Sequence, residues 1–326
     1  MKYLNRADIK NLGIDWRATV ELIKEATGLL KANDFSQPVK PYLRYKDQRN
    51  RIIAMPAYIG GHKATAGIKW IASFPENIKK GIDRAHSILI LNEADTGIPI
   101  AIFNTSIVSS IRTASVSGAV IDQYFKSRSD EFTKLRFGII GFGPIGQQHL
   151  DMLLQLFGEK IDRIFIFDIS PIHDDTMDRY ISEHDKITKA SGWEEVFDQS
   201  DVVITCTVSQ ERYIDKKPRK GTLHLNISLR DYHGSFKEHV DTMVVDNWQE
   251  VCRENTDIEV MHEKYGLQEK DVLDIVDILC DEKITNPHEK VVMFNPMGMA
   301  IYDMIIGRYF FDLSNRENVG VELKDR

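Results

Sequence analysis

Three glycines in the run Gly141-Phe-Gly143-Pro-Ile-Gly146 stand at the spacing that lets a backbone wrap a diphosphate. The first allows a tight turn, the second a close approach of backbone to phosphate, and the third close packing of helix on strand. Free N–H groups and the positive end of the helix dipole would then receive the phosphates. The setting adds to the bare pattern. Asp168 ends the next strand-like run, 22 residues after Gly146, where a carboxylate can accept from two ribose hydroxyls. A carboxylate there repels a 2′-phosphate, so NAD is expected and not NADP. Arg163, read as lying before that strand, is badly placed to hold such a phosphate. A nicotinamide nucleotide carries hydride, so the expected chemistry is redox.

A second set of residues could hold an anion. Arg44 in KPYLR, Lys69 in GIKWI and Arg112 in SSIRTAS are cations inside strand-like or helical apolar segments. For each alone, a solvent-facing position is an equal reading. Lys69 is flanked by Ile68, Trp70 and Ile71, so at least one face of its strand is expected to be buried, and a buried cation needs an anionic partner. Three such cations converging would bind carboxylates, each charge-assisted bond contributing about 1.5–3 kcal/mol. His62, His224 and His233 are scattered and form no ligand pattern with the cysteines, so no metal is expected. Cys206 reads as a packed thiol. Asp231 read alone serves equally well as a loop-capping aspartate.

The elements that must position these groups have two textures. Residues 16–32 read as an amphipathic helix, with Val20, Ile23, Leu29 and Leu30 near one face. RIIAMPAYI, TAGIKWIASF, HSILIL and IPIAIF follow as short strands with tight turns, which predicts a meandering antiparallel sheet. Helical spacing then runs from Ser106 to Phe125. Beyond it LRFGIIG, RIFIFD, DVVITCT, GTLHLNI, DTMVVD and KVVMFN are short apolar runs separated by helical or loop segments, the texture of a parallel sheet covered on both faces. A last helix, from Met299 to Phe311, is expected to return to the first domain. The fold class is therefore α/β: a Rossmann-type doubly wound sheet at 116–299, plus an α+β domain at 1–115 and 300–326.

Length and composition agree with that division. A chain of 326 residues is too long for one ordinary core and suits two domains. It is 42% hydrophobic and 28% charged, the usual balance of a globular protein. No stretch approaches the eighteen or so uninterrupted apolar residues that span a bilayer. MKYLNRADIKNLG has no apolar core of the signal-peptide kind, so a cytoplasmic location is expected. The net charge of −7 argues against nucleic acid or an anionic membrane as partner, and an anionic small-molecule substrate would have to be gripped by local cations. The three cysteines are far apart, with no CxxC pair, and read as reduced thiols.

Taken together, GIKWI, IRTAS, GFGPIG, VITCT and NPMGMAIYD resemble the ornithine cyclodeaminase/μ-crystallin family over nearly the whole chain. KPYLR, RIIAMPAYIGG, VITCTVS, NISLRDYH and VVDNWQEVCRE are more similar to a subgroup that supplies diaminopropionate for siderophores. The resemblance implies a substrate and dimerisation domain built from both chain ends, and a homodimer. The strand-rich segment 51–103 also leaves sheet edges that need covering. The resemblance also implies that Arg44, Lys69 and Arg112 hold the substrate, and that Asp231, with Lys69 handling the amine, does acid/base work beside the nicotinamide. It implies that Gly141, Gly143, Pro144, Ile145, Gly146, Asp168, Thr205, Thr207, Ser228, Met297 and Gly298 line NAD. The implied reaction is oxidation of a glutamate–diaminopropionate secondary amine at the glutamate α-carbon, then hydrolysis to 2-oxoglutarate and 2,3-diaminopropionate. Where ornithine cyclodeaminases carry Asp-Ser-Val-Gly-like residues this chain has Asn295-Pro-Met-Gly298, which argues against simple ornithine cyclisation. Amino-acid cyclodeamination, ketimine reduction and a non-catalytic nucleotide- or ligand-binding role stay open.

Overall fold

In the first half of the chain, side chains alternate between the faces of an eight-stranded mixed sheet. Its strands are β1 (Lys2–Asn5), β2 (Phe35–Ser36), β3 (Tyr42–Leu43), β4 (Arg51–Ile59), β5 (Thr65–Ser73), β6 (Ala85–Glu93), β7 (Pro99–Asn104) and a late edge strand, Val321–Glu322. β4 to β7 form the expected antiparallel meander, while β1 joins β7 in parallel. The inward positions Met55, Ala57, Ile59, Leu89, Leu91, Ala101 and Phe103 are buried. They lie under the C-terminal helix, Ala300–Arg316, which packs across β4, β5 and β6 and against the helices α1 (Arg6–Leu12) and α2 (Trp16–Lys31). α2 begins where Asp15 accepts from the Ala18 amide at 3.0 Å, and it buries Trp16, Thr19, Val20, Ile23, Ala26 and Thr27 on one stripe. Burying a side chain such as Ile23 wholly contributes about 1.5–3 kcal/mol.

The outward face of this sheet is also apolar. Ile52, Tyr58, Ile68, Ile90, Ile100 and Ile102 are half-buried, and Trp70 and Ile88 are 42% and 38% exposed.

The computed structural model describes residues 1–128, 134–172, 180–182 and 184–324. The chain divides into a first unit, Met1–Val116 with Gly298–Arg326, and a second, Ser117–Met297. The division falls within the helix α3 (Ile107–Ser127). The second unit holds an all-parallel eight-stranded sheet: β8 (Leu135–Ile140), β9 (Ile161–Phe167), β10 (Ile187–Lys189), β11 (Val202–Thr205), β12 (Thr222–Asn226), β13 (Thr242–Val245), β14 (Val272–Asp274) and β15 (Val291–Asn295). Their order is β10-β9-β8-β11-β12-β15-β13-β14. The chain thus winds outward from β8 one way and then the other, which makes the β8/β11 boundary the switch point where such sheets take their ligands. β8, β11, β12 and β15 are almost wholly buried, as continuous apolar strands in a covered parallel sheet must be. No helix among the described residues is long and apolar enough to cross a membrane.

Candidate functional site

In the second unit the loop after β8 meets the loop after β11. Gly141 has φ +94°, and a Cβ there would lie 2.7 Å from the Cys206 carbonyl carbon. The turn therefore requires glycine. The helix α4 (Pro144–Phe157) starts at once, with Gly143 as its N-cap, Pro144 in its first turn, and no capping side chain among the described residues. Among the described residues, and its own chain neighbours apart, nothing lies within 4 Å of where a Gly143 Cβ would stand. An uncapped N-terminus of a 14-residue helix, with open space over its cap, leaves N–H groups that suit a diphosphate. Asp168, just past β9, accepts from the Phe142 amide at 2.7 Å and the Ser170 amide at 2.8 Å. Its carboxylate is thereby locked beside the glycine loop, half-buried, where it can meet ribose hydroxyls. These features fit a dinucleotide. Arg163 lies within β9 and not before it, and its guanidinium donates to the Thr188 hydroxyl at 3.1 Å.

Beyond β11 and β12 the same unit builds a buried carboxylate centre. Asp231 is fully buried. Thr207 donates to one of its oxygens and Ser228 to the other, and Ser228 also lies 3.1 Å from the Thr205 hydroxyl. Burial pushes the Asp231 carboxyl up to about 6; the Thr207 hydroxyl opposes the shift, and the neighbouring Asp257 charge adds to it. The loop that carries Asp231 turns at Leu229, whose φ is +60°. Thr205, Thr207 and Ser228 were expected to line a nucleotide; their hydroxyls here are tied to Asp231 and to one another. Met297 donates its amide to Asp246 at 2.9 Å.

Cys206 is a packed thiol that burial pushes up. His224 sits between Thr222 and Tyr232 at 3.1 Å each, held neutral by burial at about 3.

In the first unit two of the three sequence-flagged cations meet. Lys69 sits on the inward face of β5, between Met55 and Leu89 of the neighbouring strands, and is 2% exposed. It donates to Asp303 at 2.7 Å and to Ser109 at 3.1 Å. Arg112, one turn on from Ser109 in α3, donates its Nε to the other oxygen of Asp303 at 3.2 Å. Gly298 makes room for this arginine: a Cβ there would lie 2.6 Å from the guanidinium nitrogens. Burial lowers Lys69 to about 7; Asp303 opposes this, while the charges of Arg112 and Lys40 push the same way. The carboxylate thus partly neutralises a buried cluster of positive charge, and the remainder suits an anionic ligand.

Arg44 is half-buried. It donates to the Gln48 carbonyl at 2.7 Å and lies 5.6 Å over the Tyr42 ring. Sequence reasoning passed over Asp303 and the buried Lys40. A readable signal existed for the first: Asp303 is an acid inside the otherwise apolar run Ala300–Ile306.

Known proteins resemble this chain in sequence and fold. The chain is 34% identical to N-((2S)-2-amino-2-carboxyethyl)-L-glutamate dehydrogenase of Staphylococcus aureus (strain NCTC 8325 / PS 47), over 99% of this chain and 98% of that one. Delta(1)-pyrroline-2-carboxylate reductase of Thermococcus litoralis, solved with NADH and L-proline, has the same fold, with a TM-score of 0.88 at 22% identity over 99% of this chain and 100% of that one. An archaeal alanine dehydrogenase dimer with bound NAD superposes with a TM-score of 0.84 at 23% identity, over 100% and 99%. Residues 7–318 match the family description itself, so the chain belongs to the ornithine cyclodeaminase/mu-crystallin family.

Proposed function

We propose that this protein is an NAD-dependent dehydrogenase acting on the carbon–nitrogen bond of N-(2-amino-2-carboxyethyl)-L-glutamate. The observation that carries the reading is Asp231: a fully buried carboxyl raised to about 6, in a sheet whose glycine loop and Asp168 suit a dinucleotide. A carboxyl so tuned gains and loses a proton near neutrality, as acid/base catalysis requires. The full-length likeness to the staphylococcal dehydrogenase supports the substrate.

Gly141, Gly143 and Gly146, with Pro144 and Ile145, hold the diphosphate. Asp168 accepts from the adenosine ribose, and Met297 and Gly298 complete the lining. NAD held there would supply the hydride acceptor for oxidation at the glutamate α-carbon. Arg112, Lys69 and Arg44 hold the substrate carboxylates; Lys69, lowered to about 7, takes the proton whose loss frees the nitrogen lone pair. The Asp231 carboxylate stabilises the iminium and then draws a proton from the water that adds to carbon. Collapse of the carbinolamine releases 2-oxoglutarate and L-2,3-diaminopropionate. Purified protein given NAD and N-(2-amino-2-carboxyethyl)-L-glutamate should form reduced cofactor and both products in equal amounts. Reduced cofactor with ornithine or alanine, and none with this secondary amine, would sink the assignment.

Two further results are expected. Wild-type protein should prefer NAD to NADP, and Asp168→Ala should erode the preference by removing the charge that repels a 2′-phosphate. Equal use of both cofactors by the wild type would contradict this. The apolar outward face of the first unit's sheet, with Trp70 and Ile88, should pair with that of a second copy, because a face so large is rarely left to water. Light scattering should give twice the chain mass of 37.4 kDa; a monomer at micromolar concentration would refute the homodimer.

A further inference from the structure

One carboxylate of the second unit does no chemistry in the reading above, yet it holds the loop that carries Asp231. Asp257 opens the helix Asp257–Tyr265, directly after the capping Thr256, and is fully buried. One of its oxygens accepts from Asn226 Nδ2 at 3.0 Å, from the Asp231 amide at 3.2 Å and from the Tyr232 amide at 3.1 Å. Its other oxygen accepts from Arg212 Nε at 2.7 Å. Its own amide donates to the Leu229 carbonyl at 2.8 Å. The loop is thus clamped at Asn226, Leu229, Asp231 and Tyr232, across the left-handed Leu229, a conformation that a branched side chain does not hold unaided.

All four groups facing the Asp257 carboxyl oxygens are N–H donors. A protonated carboxyl would set a fifth donor against them, so the surroundings call for the anion. Burial raises its pKa, against Asn226, the Tyr232 amide and Arg212. Arg212 is anchored in turn, its terminal nitrogen donating to the Asn255 carbonyl at 2.7 Å. Among the described residues, the titratable groups around the Asp257–Arg212 pair include Asp231, Tyr213 and Tyr232. The anion that fixes the Asp231 backbone also places a like charge beside the Asp231 carboxyl.

We propose that Asp257, pinned by Arg212, is the positioning residue for Asp231. It fixes where the acid/base carboxyl points, and it sets a like charge beside that buried carboxyl. The proposal rests on the reading that Asp231 does the acid/base work.

Asp257→Asn tests it, because the shape stays while the charge goes and an amide donor faces other donors. With NAD and N-(2-amino-2-carboxyethyl)-L-glutamate, kcat should fall on the order of tenfold to a hundredfold with little change in KM, as expected of a misplaced catalytic group. NADH binding, followed by fluorescence, should survive. A ¹³C titration of the Asp231 carboxyl carbon in the full chain, its signal identified by its loss in Asp231→Asn, should move below the wild-type value of about 6, since a neighbouring negative charge is gone. Unchanged kcat with an unmoved titration overturns the proposal. Full turnover by Asp231→Asn overturns the functional reading instead, and the titration alone then judges the positioning. If Asp257→Asn does not fold, Arg212→Ala and Arg212→Lys decide: alanine frees the carboxylate and should lose turnover, and lysine should recover part of it. Equal turnover by both overturns the proposal.

Discussion

Asp231→Asn is expected to lower kcat a hundredfold or more, an order of magnitude typical for loss of a positioned acid/base, while NADH still binds. The amide keeps the side chain's shape and can still accept from Thr207 or Ser228. It cannot carry the negative charge that meets a developing iminium, nor take a proton from water. The pH profile gives a second reading of the same group. Asp231 is raised to about 6 by burial, so the active carboxylate is present above that value and lost as pH falls through it. Wild-type kcat/KM should drop on the acid side in two steps, as Lys69 gains its proton near 7 and Asp231 near 6, and the residual activity of the variant should keep the first step and lack the second. Asparagine at 231 with normal turnover would show that the chemistry lies elsewhere.

Asp303→Asn should cost the first unit about 3–5 kcal/mol, because it leaves two buried cations without their shared counter-charge. The Lys69 side chain is 3% exposed and that of Arg112 10%, so water cannot substitute for the lost carboxylate. Lys69→Met in the same chain should recover much of the loss, since a methionine fills similar space between Met55 and Leu89 without a charge. Urea unfolding of the single and double variants, followed by a probe in the first unit such as Trp16, measures both effects. An Asp303→Asn protein as stable as wild type would mean that the two cations are compensated by other groups.

What the sequence reveals of this protein depends on how local each signal is. The four meander strands, α2, the glycine loop and the core strands of the parallel sheet announce themselves by period and by turn residues, because neighbours along the chain create those patterns. β1, β2, β3 and Val321–Glu322 do not. They are two to four residues long, and pairing with distant strands, not their own composition, makes them strands. The same holds for the site. Lys69 stands out because a cation among Ile68, Trp70 and Ile71 is locally odd, but its partner lies 234 residues further on. Asp257 follows Thr256 at a helix start, where an acid is ordinary, so its local setting conceals a partner, Arg212, 45 residues away. Asp231 acquires its proposed role from a resemblance; only the structure shows the burial and the Asp257 charge that would tune it.

The origin of Asp303 in the C-terminal helix bears on how the chain folds as it is made. β5 and α3 emerge from the ribosome long before Ala300–Arg316 does, so Lys69 and Arg112 exist at first with no anion to meet them. The inward face of the meander is likewise uncovered until that helix arrives. The second unit, contiguous from Ser117 to Met297, contains all the strands of its own sheet and can close earlier. The first unit is therefore expected to fold last, through contacts of long sequence separation that slow it. In that interval its two cations are expected to stay hydrated, until Ala300–Arg316 brings the Asp303 carboxylate to both of them.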